Sequence, residues 1–244
     1  MGKSMSDDFP GVLAIVQARM GSRRLPGKVL REVAGKTILQ YLLENLQRSQ
    51  RLAGVVVATS TSAGDMPIVE LCERLGVDVF RGDQADVAGR FLDVIETRDA
   101  QAFVRISGDS PLLDPRLVDR AVGRFETGDC DLVTDLRPRS YPRGQSVEVL
   151  NSQVFRDAYR AMSRREHFEH VTRWFYENED QVKISNFRAA RDWSDIRLVV
   201  DTAEDLHMIA RIVKRMERPH WQYELSEIIE IYESINVEQQ ATVL

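Results

Sequence analysis

Cysteine is nearly missing from this chain: Cys72 and Cys130 are the only two among 244 residues. A disulfide framework and a cysteine-ligated zinc site are thereby excluded, and a reducing cytoplasm is the compartment that fits. Cys72 falls in an amphipathic pattern and reads as a small core residue. Long apolar runs are lacking as well. No stretch approaches the roughly 18–20 consecutive apolar residues of a membrane span. Positive charge is in the minority, with 33 Lys and Arg against 38 Asp and Glu and a net charge of −5. Overall charge therefore gives no footing for nonspecific nucleic-acid binding. Internal repeats and low-complexity tracts are absent. What remains is a globular chain long enough for one sizeable domain with a large core. Met1 to Pro10 is polar, lacks a hydrophobic signal region and reads as a disordered leader before a single domain over 11–244.

The scarce positive charge is concentrated. After the apolar run Val12 to Val16, which reads as a buried strand, come Arg19, Arg23, Arg24 and Lys28, with no acid until Glu32. A glycine-containing turn after such a strand can offer backbone N–H groups to an anion, and four cations around it suit a phosphate ligand. It is not a Walker loop: five residues separate Gly21 from Gly27, and Val29 follows Lys28. The three-glycine dinucleotide fingerprint is missing too. A solvated basic loop is the plain alternative, and the glycine and proline directly after the first strand weaken it.

Apolar runs alternate with helical patterns through the first half: strands at Val12–Val16, Val55–Ala58, Val77–Phe80, Ala102–Ile106 and Asp131–Thr134, helices at Thr37–Ser49, Pro67–Leu75, Asp86–Thr97 and Pro115–Phe125. This predicts a three-layer α/β/α arrangement with a mostly parallel sheet, whose ligands sit beyond the carboxyl ends of the strands. The region 135–192 breaks the rhythm and reads as a small inserted lobe, with a strand at Ser146–Leu150, helices near Val154–Met162 and Phe168–Tyr176, and a strand around Val182–Phe187. The main sheet is expected to resume at Arg197–Asp201, followed by helices Ala203–Met216 and Tyr223–Ser234.

Two aspartates stand directly at the ends of apolar strands. Asp109 follows Arg105-Ile106-Ser107-Gly108, where Gly108 permits an unusual backbone angle. Asp114, immediately before Pro115, is the better helix cap, which leaves Asp109 free. Asp201 follows Leu198-Val199-Val200, while Thr202 caps the next helix with Glu204 or Asp205 in its first turn. Two such carboxylates can share a hard cation such as Mg²⁺, which takes one or two protein carboxylates plus phosphates and waters. An all-capping cluster is the alternative. His167 and His170, three apart, declare no third metal ligand. For a base and ribose, Ala18, Thr59, Ser60 and Arg81 are candidates, against ordinary loop chemistry.

Gln17-Ala18-Arg19 followed by Ser22-x-Arg24-Leu25-Pro26-Gly27-Lys28 resembles the signature loop of the bacterial sugar cytidylyltransferases, nearest to the spore-coat polysaccharide biosynthesis type. Synthetases of CMP-linked acylneuraminate, other nonulosonates and 3-deoxy-manno-octulosonate are relatives. The resemblance runs from about Val12 to about Met216. It implies a nucleotidyltransferase fold, a homodimer, and transfer of CMP from CTP to a small anionic sugar acceptor with release of pyrophosphate. It implies nucleotide contacts from Gln17, Ala18, Gly21, Ser22, Arg105 and Ser107, triphosphate contacts from Arg19, Arg24 and Lys28, and Mg²⁺ on Asp109 and Asp201. Arg19, Lys28, Asp109 and Asp201 form the expected catalytic set.

For the acceptor, Tyr141, Arg143, Gly144 and Glu148 match a family segment with Gly-x-Asp-x-Glu, in which Ser146 replaces the aspartate. Glu169 and His170 match a family Arg-Glu-His-Val-Thr, with Phe168 in place of the arginine. The resemblance also implies that residues 135–192 build the sugar pocket and the dimer contact. Two other readings stay open: a glycosyltransferase using an Asp-x-Asp motif, spelled here Asp129-Cys130-Asp131, and a noncatalytic nucleotide-binding module. Retention of Lys28, Asp109 and Asp201 together speaks against the latter.

Overall fold

The computed structural model describes residues 11–243, so the leader expected over Met1 to Pro10 lies outside the described residues. Its elements follow in chain order: β1 (Val12–Gln17), β2 (Glu32–Val33), β3 (Lys36–Thr37), α1 (Ile38–Leu46), β4 (Leu52–Ser60), α2 (Met66–Leu75), β5 (Asp78–Gly82), α3 (Val87–Arg98) and β6 (Ala102–Ser107). After them come α4 (Pro115–Thr127), β7 (Leu132–Thr134), β8 (Glu148–Asn151), α5 (Ser152–Ala161), α6 (Arg165–Glu169), α7 (Arg173–Glu177), β9 (Ile184–Asn186), α8 (Ala203–Lys214) and α9 (Leu225–Val243).

Seven strands form one sheet in the order β5-β4-β1-β6-β8-β7-β9. It is mostly parallel; β8 runs antiparallel to both β6 and β7. The side-chain alternation of the strands serves both faces, as a covered sheet requires. Val12 and Val16 of β1, with Ala102, Val104 and Ile106 of β6, pack under α1, α2, α4, α8 and α9. Ile15, Val56, Ala58 and Phe103 face α3, α5 and α7. There Phe103 meets Phe91 at 5.8 Å and Phe155 at 5.1 Å between ring centroids. The expected three-layer α/β/α fold is what the chain adopts.

The helices start where short polar side chains can take the free N–H groups. Thr37 accepts from Gln40, Asp86 from Gly89 and Asp114 from Arg116. Thr202 and Asp205 form a full capping box on α8.

Two sequence expectations fail, and one element has no counterpart among those expected. Arg197–Asp201 is no strand: it makes a single bridge, Arg197 to Arg143. The place beside β6 that it would take belongs to β8. The helix expected over Phe168–Tyr176 is two short ones, α6 and α7, parted where His170 leaves helical geometry at φ −118° and ψ 86°. The β2–β3 hairpin was not foreseen; its turn residues Ala34 and Gly35 both have positive φ, 48° and 81°. Residues 135–192 contribute β8 and β9 to the main sheet and α5 to α7 to its layers.

The chain runs outward from β1 to β4 and β5, then returns to β6 on the other side of β1. The order reverses there, and a crevice opens at the carboxyl ends of β1 and β6, the usual ligand position in such sheets.

Candidate active site

Gln17, the last residue of β1, is level with Ser107 of β6 and Ala58 of β4. Beyond it the chain closes a loop on Met20, whose carbonyl accepts the N–H groups of Ser22 and Gly27, each at 3.0 Å. Gly27, at φ +67°, then turns the chain into a single 3-10 turn beginning at Lys28. Across the crevice the Gly108 N–H donates to the Gln17 carbonyl at 2.9 Å. Gly108 does not have the positive φ expected of it; its need is space, since a Cβ there would stand 2.9 Å from that carbonyl oxygen. β6 thus delivers Asp109 directly opposite the loop.

Asp201 reaches the same place from the far side. The Val200 N–H donates to the Asp109 carbonyl at 2.9 Å, locking the two backbone segments together. Asp205 accepts the Asp201 and Thr202 N–H groups at 2.9 and 3.0 Å and receives Arg197 through both carboxylate oxygens. The Lys28 ammonium bridges the two aspartates, 2.5 Å from Asp109 Oδ2 and 2.7 Å from Asp201 Oδ1. Arg24 approaches the second Asp201 oxygen at 3.1 Å and Arg197 at 3.5 Å.

Burial pulls the Lys28 pKa down, but the hydrogen bonds and charges of Asp109 and Asp201 outweigh it and raise it above the ordinary lysine range. Burial likewise opposes ionisation of Asp201, yet Lys28, Arg24 and Arg197 hold its pKa below the ordinary aspartate range. Lys28 and Asp201 are therefore both charged at neutral pH.

The crevice is a cleft of about 730 Å³. Gln17, Ala18, Arg19, Gly21, Ser22, Arg24, Lys28, Ser107, Asp109 and Asp201 line it, together with Glu169, the last residue of α6, and His170 just after it. Arg19 spans this opening to Glu169 at 3.5 Å.

Eight other sequence candidates are placed elsewhere. Thr59 and Ser60 are fully buried behind the loop, and Arg81 holds the backbone carbonyls of Ser60, Thr61 and Ser62. Arg105 is paired with buried Glu148, which also accepts the Tyr176 hydroxyl at 2.6 Å. Tyr141 is buried, its hydroxyl taking Arg120. Arg143 contributes backbone bonds to Ile196 and Leu198, and Gly144, at φ +98°, lets the Leu198 backbone pass where a Cβ would stand 2.6 Å away. Asp129 and Asp131 of the Asp-x-Asp spelling engage Lys183 at the amino end of β7, away from the cleft. β7 runs parallel to β6, so that end is opposite to the one carrying Asp109.

The sequence reading missed Arg90 and Arg165, both in the cleft wall. Arg90 is 2 % exposed, its Nε has no partner among the described residues, and Nη1 donates to the Asp83 carbonyl at 2.6 Å. The signal was there: an arginine on the apolar face of α3, between Ala88 and Phe91. Gln17 Oε1 is likewise buried without a partner among the described residues. Two orphaned polar atoms in a cation-rich cleft leave hydrogen bonds for a ligand to make.

A reversing parallel sheet that ends in a cation-rich loop opposed by two carboxylates is the architecture of an α/β nucleotidyltransferase. The chain belongs to the cytidylyltransferase family, whose profile matches residues 13–243. It is 32 % identical to the spore coat polysaccharide biosynthesis protein SpsF of Bacillus subtilis, over 85 % of this chain and 89 % of that one. A cytidylyltransferase structure from Leptospira borgpetersenii superposes with a TM-score of 0.86 at 28 % identity, covering 93 % of this chain and 94 % of the other. A CMP:2-keto-3-deoxy-manno-octonic acid synthetase, solved in complex with CTP, shares the fold at a TM-score of 0.66 and 17 % identity, over 84 % of this chain and 99 % of that one.

Proposed function

We propose that this enzyme transfers CMP from CTP to a hydroxyl of a small anionic sugar, such as a nonulosonate-like acid, and releases pyrophosphate for the assembly of a surface polysaccharide. The observation that carries this is the meeting of Lys28 with both Asp109 and Asp201 at one point of the cleft. The CTP complex of the octonic acid synthetase and the spore-coat relative support the choice of nucleotide and pathway class.

The same point tests the fit of a metal. Two carboxylate oxygens already converge on a single cation there, and hard oxygen donors suit Mg²⁺. Asp109 and Asp201 would hold the ion, with phosphate oxygens and water completing its shell. When bound, it supplies charge neutralisation at the α-phosphate and acidifies or aligns the attacking hydroxyl. A fold neighbour from Mycobacterium tuberculosis was solved in complex with manganese, which accords with the use of a divalent ion by proteins of this fold.

The chain's own residues do the positioning. Arg19, Arg24 and Lys28 exchange their carboxylate partners for phosphate oxygens and hold the triphosphate in line. The acceptor hydroxyl gives up its proton to solvent as its oxygen bonds to the α-phosphorus, the bond from that phosphorus to the oxygen bridging to the β-phosphate breaks, and the departing pyrophosphate keeps that oxygen and stays within reach of the loop cations. Glu169 and His170 face the acceptor side. We also infer a cytoplasmic homodimer that packs through residues 135–192.

Pyrophosphate release measured with Mg²⁺, each of four nucleoside triphosphates and a panel of acidic sugars tests the reading. Release with CTP and one acceptor class is expected. Release with CTP absent, or binding of no nucleotide at all, overturns it.

A further inference from the structure

Behind the cleft lies a buried carboxylate that the reaction does not touch. Asp65, in the turn between β4 and α2, is 4 % exposed. Its Oδ1 accepts the Met20 N–H at 2.8 Å. Its Oδ2 accepts the Ser60 hydroxyl at 2.5 Å and the Ser60 N–H at 3.3 Å. No basic side chain lies within salt-bridge distance of it among the described residues, so both oxygens are spent on these donors.

Met20 is also the residue on whose carbonyl the loop closes, through Ser22 and Gly27. Asp65 therefore grips the loop at its closure point, from the N–H side of the same residue. Its own anchorage is firm. Ser60 ends β4, and Arg81 clamps the carbonyls that follow it. The Thr61 N–H donates to the Gly82 carbonyl at 2.8 Å, which ties the turn to β5 as well. Ser60 and Arg81, read from the sequence as nucleotide contacts, are parts of this brace.

We propose that Asp65 is a positioning residue for the phosphate loop. Through Met20 it sets where Arg19, Arg24 and Lys28 stand, and so tunes affinity for a polyphosphate without touching it. The proposal rests on reading that loop as the triphosphate site. Arg19 and Ser22 lie within two residues of the gripped amide, so a shift there is carried straight into the cleft.

The test uses full-length protein with Asp65→Ala, Asp65→Asn and Ser60→Ala. Inorganic triphosphate, which has neither base nor sugar, is the calorimetric probe, and amide hydrogen exchange reads the loop. In Asp65→Ala, exchange at Met20 and Ser22 is expected to quicken about tenfold while β1 and β6 stay protected. Triphosphate affinity and KM for CTP should each worsen about tenfold, with kcat changed less than about threefold, the pattern of lost ground-state positioning. Asp65→Asn keeps an acceptor for the Met20 N–H and should recover most of the loss. Ser60→Ala, which strips one donor from Oδ2, should fall between wild type and Asp65→Ala.

Affinity within twofold of wild type in Asp65→Ala, or exchange that quickens evenly through the sheet, overturns the proposal. Should Asp65→Ala fail to fold, wild-type behaviour in both Asp65→Asn and Ser60→Ala overturns it instead. Wild-type protein that binds triphosphate but never turns over CTP removes the cytidylyl reading and leaves this one standing. Wild-type protein that binds no triphosphate removes both.

Discussion

Lys28 is committed to two aspartates, and the proposed reaction asks it to serve phosphate instead. An ammonium between two carboxylates compensates a pair of like charges that would otherwise repel, and it occupies the place a divalent cation needs. Replacing Lys28 by Met removes that compensation while keeping much of the side chain's bulk. Affinity for Mn²⁺ alone should then rise about tenfold, the worth of roughly one charged hydrogen bond. Affinity for triphosphate should fall. A Mn²⁺ titration followed by electron paramagnetic resonance gives the first number and calorimetry the second; Mn²⁺ affinity equal to or below wild type would dismiss the competition. The residues of this centre were legible in the sequence because each stands in a contiguous signal: a basic loop after a strand, or an aspartate straight off an apolar run. Asp65 was not, because the loop residue it holds, Met20, is 45 positions away. Arg90 left one mark, a charge set among the core positions of α3, with nothing local to tie it to the cleft.

Among the elements, α4 shows how one carboxylate can hold two pieces of chain. Asp114 caps the helix by accepting the Arg116 N–H at 2.9 Å, and its other oxygen accepts the buried N–H of Leu225 at 3.1 Å, where α9 begins. Asp114→Ala gives up the cap, about 1 kcal/mol, and strands a buried amide, about 1–3 kcal/mol more. A loss of about 2–4 kcal/mol in denaturant unfolding is the expected outcome; a loss below about 0.5 kcal/mol would show that α9 does not depend on this anchor. The cap itself could be read from Asp-Pro in the sequence, whereas the link to Leu225 could not, since nothing local marks it. The same holds for Arg197–Asp201. Its apolar spelling predicts a strand, but the segment satisfies its backbone against the Arg143–Gly144 turn and the Asp109 carbonyl, because β8 has already taken the edge of β6.

At the scale of the whole molecule, βα alternation announces the parallel half of the sheet, β5-β4-β1-β6, and its crevice. The other half is assembled by β8 entering antiparallel, which no periodicity foretells, and that entry buries acids at the seam between β7 and β8. Glu148 is compensated there by Arg105 and Tyr176. Asp135, fully buried, is not: Oδ1 accepts the Val147 N–H at 2.9 Å, while Oδ2 has no partner among the described residues. Burial pushes its pKa up to about 7, with the charge of Glu148 adding to the rise and the Val147 N–H and Arg139 opposing it. Between the unfolded value of about 4 and that folded value, the native state binds more protons than the unfolded chain. The contribution of Asp135 to stability is therefore fully present below about pH 4, declines through the window and is lost above about pH 7. Asp135→Asn retains the acceptor for Val147 and cannot ionise. Near pH 3.5 the variant should match wild type, and at pH 8 it should be more stable by about 2–4 kcal/mol, since each pKa unit is worth about 1.4 kcal/mol. Urea unfolding at the two pH values measures the difference. A variant less stable than wild type at pH 8 would mean that the buried carboxylate is ionised and held by Arg139, and that the seam is a salt-bridged one.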